Sequence, residues 1–446
     1  MSFLHERCVI PLAVWLRGEA ELYPELEQLK RLEYAPPSSL EAFQAERLHQ
    51  TLSFASANVS WYRHHLAPIL DTGRVHDLTQ WPVLTKVDIQ RAPEAFHPEA
   101  QPRRVTRKTT GGSTGQPVTL MKDRHAIGRE LAASAMGYSW FGVRMGQRSA
   151  RFWGSPQTRK RALRSTLADA VMNRKRFSAF AFDQSDLSQY WRALLKLNPR
   201  FIYGYVSMIE ALAHFVRSEG LRSSHLKALQ AVITTAEALS PRQREVISRT
   251  FGVPIQNEYG CGEVGPIAYE CPQGSLHVMA ANLKVEILDQ GGAPVSPGSA
   301  GRIVLTDLNN RAMPLIRYDV GDRAAWGTPC SCGRSFPVLQ EVFGRAYDFV
   351  TSEDGRRYHG EFFMYIFEDL RDQGLHVDQF KVIQRSTNSL EVQLRGDPEA
   401  FSYQRDRVQA EISRRLPGFQ VAVLRKDTLE RAPSGKIRVI EVDLPS

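Results

Sequence analysis

Apolar residues recur every three to four positions over 38–65, at Leu48, Leu52 and Ala55, and over 123–150, at Leu131, Ala135 and Tyr138, which predicts a long helix in each stretch. Short runs rich in β-branched and aromatic residues at 201–205, 231–235, 283–288, 301–306 and 338–342 predict strands. Strands interleaved with helices make an α/β layering the expected fold class. Beyond Asp348 the alternation restarts on a smaller scale, with strands at 380–384 and 389–394, a helix over 403–415 and a strand at 420–424. A boundary is therefore expected near Asp348, between a large N-terminal domain, 1–347, and a small C-terminal α+β domain, 348–446.

Length supports this division, because 446 residues exceed what one hydrophobic core usually serves. With 42% hydrophobic and 24% charged residues the composition is that of a globular protein and excludes a disordered or fibrous one. The formal charge of +9 points to anionic partners such as nucleotides, coenzyme A, nucleic acid or acidic membranes. Part of it is concentrated in Arg159-Lys160-Arg161, Arg164 and Arg174-Lys175-Arg176, which flank Leu163, Leu167 and Val171 at helical spacing. That pattern reads first as a solvated basic helix face, and second as a docking surface for a phosphate-bearing substrate or an anionic surface. No aromatic-rich RNA-binding signature, zinc finger or basic zipper accompanies it, so nucleic acid is not an expected partner. The apolar stretch 8–16 contains Pro11, lies between Glu6 and Arg17, and falls short of the ~20 residues a membrane span needs, so neither a transmembrane segment nor a secretory leader is expected. A cytoplasmic location follows from that reading. Five cysteines in such a chain make no disulfide framework, and close groups of Cys and His read as metal ligands.

The candidate chemistry begins at Thr109-Thr110-Gly111-Gly112-Ser113-Thr114-Gly115-Gln116-Pro117. Glycines let backbone N–H groups approach phosphate oxygens and the hydroxyls add donors, so the run can cradle a nucleotide, although the Gly-Lys-Ser/Thr ending of a P-loop is absent. Further on, Asn257-Glu258-Tyr259-Gly260-Cys261-Gly262-Glu263 offers a flat ring for adenine and a hard oxygen ligand, Glu263, for a phosphate-bridging Mg²⁺. In Arg317-Tyr318-Asp319-Val320-Gly321-Asp322, the carboxylate of Asp322 suits the paired hydroxyls of a ribose. Gly344-Arg345-Ala346-Tyr347-Asp348 puts a cation and an acid at the proposed boundary, and Pro433-Ser434-Gly435-Lys436-Ile437 delivers one lysine from the smaller domain, where it can stabilise phosphate charge as pyrophosphate leaves. Each motif alone is an ordinary turn; their order is the signal.

Taken together from about residue 105 onward, these motifs resemble the adenylate-forming superfamily of acyl-CoA synthetases, luciferases and nonribosomal adenylation domains. Tyr259-Gly260-Cys261-Gly262-Glu263, Cys330-Ser331-Cys332-Gly333-Arg334 and Trp61-Tyr62-Arg63 are similar to the phenylacetate-CoA ligase branch, including its capsular-polysaccharide-associated subgroup. The resemblance implies a large adenylating domain and a small mobile lid, and a two-step reaction in which a carboxylate attacks ATP to give acyl-AMP and pyrophosphate, after which an acceptor displaces AMP. It also implies roles. Thr110, Gly111, Gly112, Ser113, Thr114 and Gly115 would hold phosphates; Glu237, Glu258, Tyr259 and Gly260 would surround the nucleotide; Asp322 would take the ribose and Arg345 the nucleotide beside the hinge. Glu263 would bind Mg²⁺ and Lys436 would catalyse adenylation. Two departures stand out: Thr110-Gly111-Gly112 replaces Ser-Ser-Gly or Thr-Ser-Gly, and Ala236 occupies a turn where glycine is frequent.

Candidates for the acyl pocket are Trp153, Tyr203, Tyr205, Ala236 and Cys261, with Trp140 and Phe141 as further aromatics that read equally as core. Cys271, His277, Cys330 and Cys332 supply three thiolates and an imidazole for a closed, structural Zn²⁺ site, with Cys261 as an alternative fourth ligand to His277. The expected cofactors and partners are a small carboxylic acid, ATP, Mg²⁺, coenzyme A or another acyl acceptor (an amine, a hydroxyl or a carrier protein), and a second copy of the chain. A non-catalytic nucleotide-binding regulator is the competing class, disfavoured because a binder needs no counterpart of Lys436 or Glu263.

Overall fold

The computed structural model describes residues 4–72, 74–110, 118–154, 159–179, 181–343, 349–375, 377–429 and 440–443. Among these, β-branched and aromatic runs assemble one eleven-stranded sheet with two characters. Arg174–Ser178, Ser149–Trp153, Phe201–Tyr205, Ala231–Thr235 and Ile255–Cys261 run parallel, in that spatial order. The last of them pairs antiparallel with Gly265–Glu270, and the sheet continues antiparallel through Leu276–Val278, Val338–Phe343, Tyr318–Trp326, Gly301–Asp307 and Leu283–Leu288.

Parallel strands need long crossovers, and the helices Gln184–Leu197, Val206–Ser218 and Pro241–Phe251 provide them. Their ends are written in the sequence: Asp183 with Asp186 and Ser240 with Gln243 form capping boxes, and Asn198 and Gly252 stop two helices in the left-handed conformation. Ala231–Thr235 is buried along its whole length, with Val232 in the core under these helices and Ala231 and Ile233 packed with Val143. Two contacts demand glycine. A Cβ on Gly204 would lie 2.5 Å from the Phe152 carbonyl oxygen, and one on Gly137 would lie 2.3 Å from the Tyr269 ring.

A second core joins the N-terminal helices to the antiparallel half. Tyr62, fully buried, donates to the Pro314 carbonyl at 3.0 Å and accepts from the Ile316 amide at 3.1 Å. Arg317 follows with φ of 50°, donates to both Glu286 oxygens at 3.0 and 3.1 Å and to the Trp81 carbonyl at 2.8 Å. The first residue of the Arg-Tyr-Asp-Val-Gly-Asp motif is thus a buried tie between the N-terminal layer and the sheet. Near the C-terminus, Gln420–Arg425, Ser389–Arg395, Gln379–Ser386 and Ile440–Val442 make a four-stranded sheet packed with helices Gly360–Asp372 and Phe401–Arg415. Its core is continuous with that of the parallel half, and Arg357–His359 pairs with Ala181–Phe182 while Arg356 bridges to Asp186 at 2.9 Å.

The predicted strands all appear, the C-terminal ones with the 403–415 helix beginning at Phe401. Two helix predictions need correction. The 38–65 helix is two, Pro37–Asn58 and Ser60–Leu66, broken where extended Val59 bridges to Pro98. The 123–150 helix is Arg124–Ser139, because Gly142 and Gly146 adopt φ of 73° and 90° and residues from Ser149 join the sheet. The basic run is corrected too: Arg174 to Arg176 lie on a strand after left-handed Asn173, and both arginines clamp the buried Asp169 instead of lining a solvated helix face.

Breaking the Arg317–Glu286 pair leaves a largely buried carboxylate without its partner. Arg317→Leu should cost about 3 kcal/mol in urea unfolding, and Arg317→Leu with Glu286→Leu should cost less than the single change. Equal stability of the single variant and the parent would contradict this assignment.

Candidate functional site

The carboxyl ends of the parallel strands converge where the sheet changes from parallel to antiparallel, the place where open α/β sheets bind ligands. A cavity of about 1200 Å³ opens there. Trp153, Tyr203 and Tyr205 line it from the parallel strands, and Ala236, Glu237, Glu258 and Cys261 line it from the two strand ends that follow. Of the aromatic candidates, Trp140 does not reach it: its ring packs edge-on against His277 and beneath Arg334, and Phe141 packs with the core.

One wall carries the nucleotide candidates. Tyr259 donates to Asp322 Oδ2 at 3.1 Å, so the ring read as an adenine platform and the carboxylate read as a ribose acceptor meet although 63 residues separate them. Tyr318 donates to Glu263 Oε1 at 3.3 Å, fixing a cavity carboxylate that offers a hard donor for Mg²⁺. Gly260 sits at a register shift, where a Cβ would lie 2.8 Å from the Gly265 carbonyl oxygen. Glu237 accepts from the Ser207 amide at 2.7 Å and its hydroxyl at 2.8 Å, so this acid caps the helix Val206–Ser218 and holds the Ala236 turn. Ala236 itself has φ of 69°, the conformation that explains glycine's preference for such a turn. Glu258 Oε1 accepts from Tyr203 at 2.9 Å and Thr235 at 3.0 Å; burial raises its carboxyl above the usual range against those hydrogen bonds.

Thr110 ends the strand Val105–Thr110 that runs toward the glycine-rich segment. Gly111, Gly112, Ser113, Thr114 and Gly115, together with Arg345, Asp348 and Lys436, lie outside the described residues.

Three cations escaped sequence reasoning. Lys108 and Arg151 both line the cavity, and burial lowers the Lys108 ammonium pKa, with Arg151 nearby adding to the effect. Lys122, paired with Glu130, is pushed down to about 7 by burial and by Lys108. A lysine on the strand entering a glycine-rich loop was the available signal; the place of Arg151 depends on strand register.

Beyond this wall, Cys271, His277, Cys330 and Cys332 bring four ligand atoms within 4.8 Å of one another. Cys271 follows the strand Gly265–Glu270, His277 lies on Leu276–Val278, and the other two precede Val338–Phe343. Cys271 and Cys330 sulfurs are 3.7 Å apart and Cys332 Sγ is 3.3 Å from His277 Nε2. The fully buried His277 donates from Nδ1 to the Phe336 carbonyl at 2.8 Å, which leaves the Nε2 lone pair aimed at the sulfurs. Burial raises the Cys271 thiol to about 11; burial also raises Cys330, but hydrogen bonds from Ser275, the Cys332 amide and His277 bring it down to about 6. Three sulfurs and one imidazole nitrogen at these separations fit a tetrahedral soft-metal site. Cys261 is not part of it: it lies in the cavity near Glu263, where burial pushes its thiol up.

Comparison with known proteins accords with this geometry. Residues 108–309 match the AMP-binding enzyme family. The chain is 23% identical to Protein CapK of Staphylococcus aureus over 74% of its length and 72% of that protein's. It is 27% identical to a phenylacetate-coenzyme A ligase of Thermus thermophilus over 73% and 74% of the two chains. Its fold matches 2-hydroxyisobutyryl-CoA ligase, solved with 2-HIB-AMP and CoA in the thioesterification state, with a TM-score of 0.64, 19% identity and coverage of 93% and 92%. The chain therefore carries an AMP-binding enzyme region that supplies much of the cavity wall, is similar to phenylacetate-coenzyme A ligases, and shares its fold with an acyl-CoA ligase.

Proposed function

We propose that this protein is an ATP-dependent carboxylate-activating ligase that forms acyl-AMP and pyrophosphate and then transfers the acyl group to coenzyme A. The observation that carries the reading is the Tyr259–Asp322 contact at the carboxyl edge of the parallel strands, where Tyr259 belongs to the region that matches AMP-binding enzymes. A nucleotide seated there has its adenine against Tyr259 and its ribose at Asp322. Glu263 would hold the Mg²⁺ that neutralises the phosphates. Carboxylate attack then expels pyrophosphate, and the cation best suited to stabilise the pentavalent phosphorus is Lys436 of the small domain. We assign that domain to 348–446 and the adenylating domain to 1–347, with rotation of the first removing Lys436 before the thiol of CoA displaces AMP. A structural relative supports CoA as acceptor, since the 2-hydroxyisobutyryl-CoA ligase was solved with both 2-HIB-AMP and CoA. Substrates of this kind put the reaction in the cytoplasm; among the described residues no helix is long and apolar enough to cross a membrane. For the Cys271, His277, Cys330 and Cys332 cluster we propose Zn²⁺, which would staple the antiparallel strands beside the cavity without an open position for chemistry.

Isotope exchange between pyrophosphate and ATP with a panel of carboxylic acids is the primary test, and its absence with every acid would remove the ligase assignment. CoA-dependent AMP release identifies the acceptor; release driven by an amine and unaffected by CoA would replace it. Lys436→Ala should slow adenylation by at least ~10²-fold while ATP binding persists. Asp322→Ala should raise KM for ATP by about tenfold or more, the loss expected for charge-assisted hydrogen bonds to a ribose. Purified protein should carry about one zinc per chain, falling below ~0.2 in Cys330→Ser and unchanged in Cys261→Ser. Metal-free protein of undiminished stability would refute the zinc site.

A further inference from the structure

Arg151 lies on the cavity side of the sheet, opposite Tyr203 in register and two residues before Trp153. Its guanidinium carbon stands 4.6 Å from the Trp153 ring centre and 5.3 Å from that of Tyr203, two rings whose own centres are 5.8 Å apart, so the cation lies against both aromatics at once. Among the described residues no carboxylate forms an ion pair with it. Its Nε is buried without a hydrogen-bond partner, and the residue lines the cavity. Other partly or fully buried arginines behave differently: Arg317 is matched by Glu286, Arg244 by Glu270, Arg47 by Glu25, and Arg174 and Arg176 by Asp169.

The nearby acid does not fill that role. Glu258 makes no ion pair with Arg151: one oxygen accepts from Tyr203 and Thr235, and the other is buried without a hydrogen-bond partner. Lys108 faces the same space and adds positive charge instead of cancelling it. A guanidinium stays charged at any physiological pH, and a half-buried one that lines a cavity without an ion-pair partner is suited to an anionic ligand. Its position also separates it from the nucleotide. The strand of Arg151 is three strands from that of Tyr259, roughly 14 Å at ~4.8 Å per strand, and its own neighbours are Trp153 and Tyr203, the aromatics read as acyl-pocket candidates, which favours the acyl part of the substrate as the group it meets.

We propose that Arg151 is an anion subsite at the acyl end of the cavity, so that the acid activated carries a second carboxylate, or an equivalent oxyanion, in addition to the one that is adenylated. The inference rests on the ligase reading above. The planar fork of Arg151 would take that second group through two parallel N–H···O contacts, with Trp153 and Tyr203 excluding water around the pair.

Pyrophosphate exchange with matched acids tests it: succinate, glutarate and isophthalate against butyrate, valerate and benzoate. The diacids should exceed their matched monoacids by about tenfold or more in kcat/KM, and Arg151→Gln should lower the diacid values by about 10- to 100-fold and erase most of the diacid-over-monoacid preference. Arg151→Lys should keep part of the preference, and calorimetry of glutarate binding to the AMP-loaded protein should show the same order without turnover. Unchanged thermal stability and ATP affinity in both variants separate a lost contact from a lost fold. Should either variant unfold, parent kinetics and glutarate binding decide alone. Exchange with monoacids at equal or higher efficiency, or an equal fall for both classes in Arg151→Gln, overturns the subsite and leaves the ligase assignment standing. Silence with every acid removes both.

Discussion

Strand Ile255–Cys261 hydrogen-bonds a parallel neighbour on one edge and an antiparallel neighbour on the other, and the arrangement of the cavity depends on that double pairing. On the parallel side, carboxyl ends collect Trp153, Tyr205, Thr235 and the Ala236 turn at one level. On the antiparallel side, the chain returns through Tyr318–Trp326 and brings Asp322 back to Tyr259. Neither half alone closes a pocket. The glycine at 260 permits the change, because the register slips there and the opposing backbone leaves no room for a side chain.

Residues in one motif divide between building the site and facing it. Arg317 heads a segment whose last residue, Asp322, borders the cavity, yet its own contacts are with Glu286 and Trp81. Glu237 borders the cavity and holds a helix N-terminus. Such residues shape catalysis by keeping turns in place, and their substitution acts on stability before chemistry.

Much of the sheet was legible because its strands are short continuous apolar or aromatic runs bounded by turn residues, a pattern that survives without tertiary information. What failed had physical causes. Glycines 142 and 146 ended a helix that apolar spacing alone would have extended, and left-handed Asn173 closed the expected basic helix Arg159–Val171 and put only Arg174 to Arg176 on a strand, gripping Asp169. The Cys/His quartet was readable from composition and order, but the choice between His277 and Cys261 needed the Phe336 carbonyl, which orients the imidazole. Arg151 was invisible for a related reason: nothing in its own neighbourhood of sequence marks a guanidinium as unpaired, since that property depends on strands brought together from distant positions.

Ala236 carries one more implication. An L-residue at φ of 69° stores on the order of 1 kcal/mol that glycine would not, and the turn is held there by Glu237 clasping Ser207. Ala236 lines the cavity as well, so the tension in that turn is stored at the cavity wall itself, beside the strand ends.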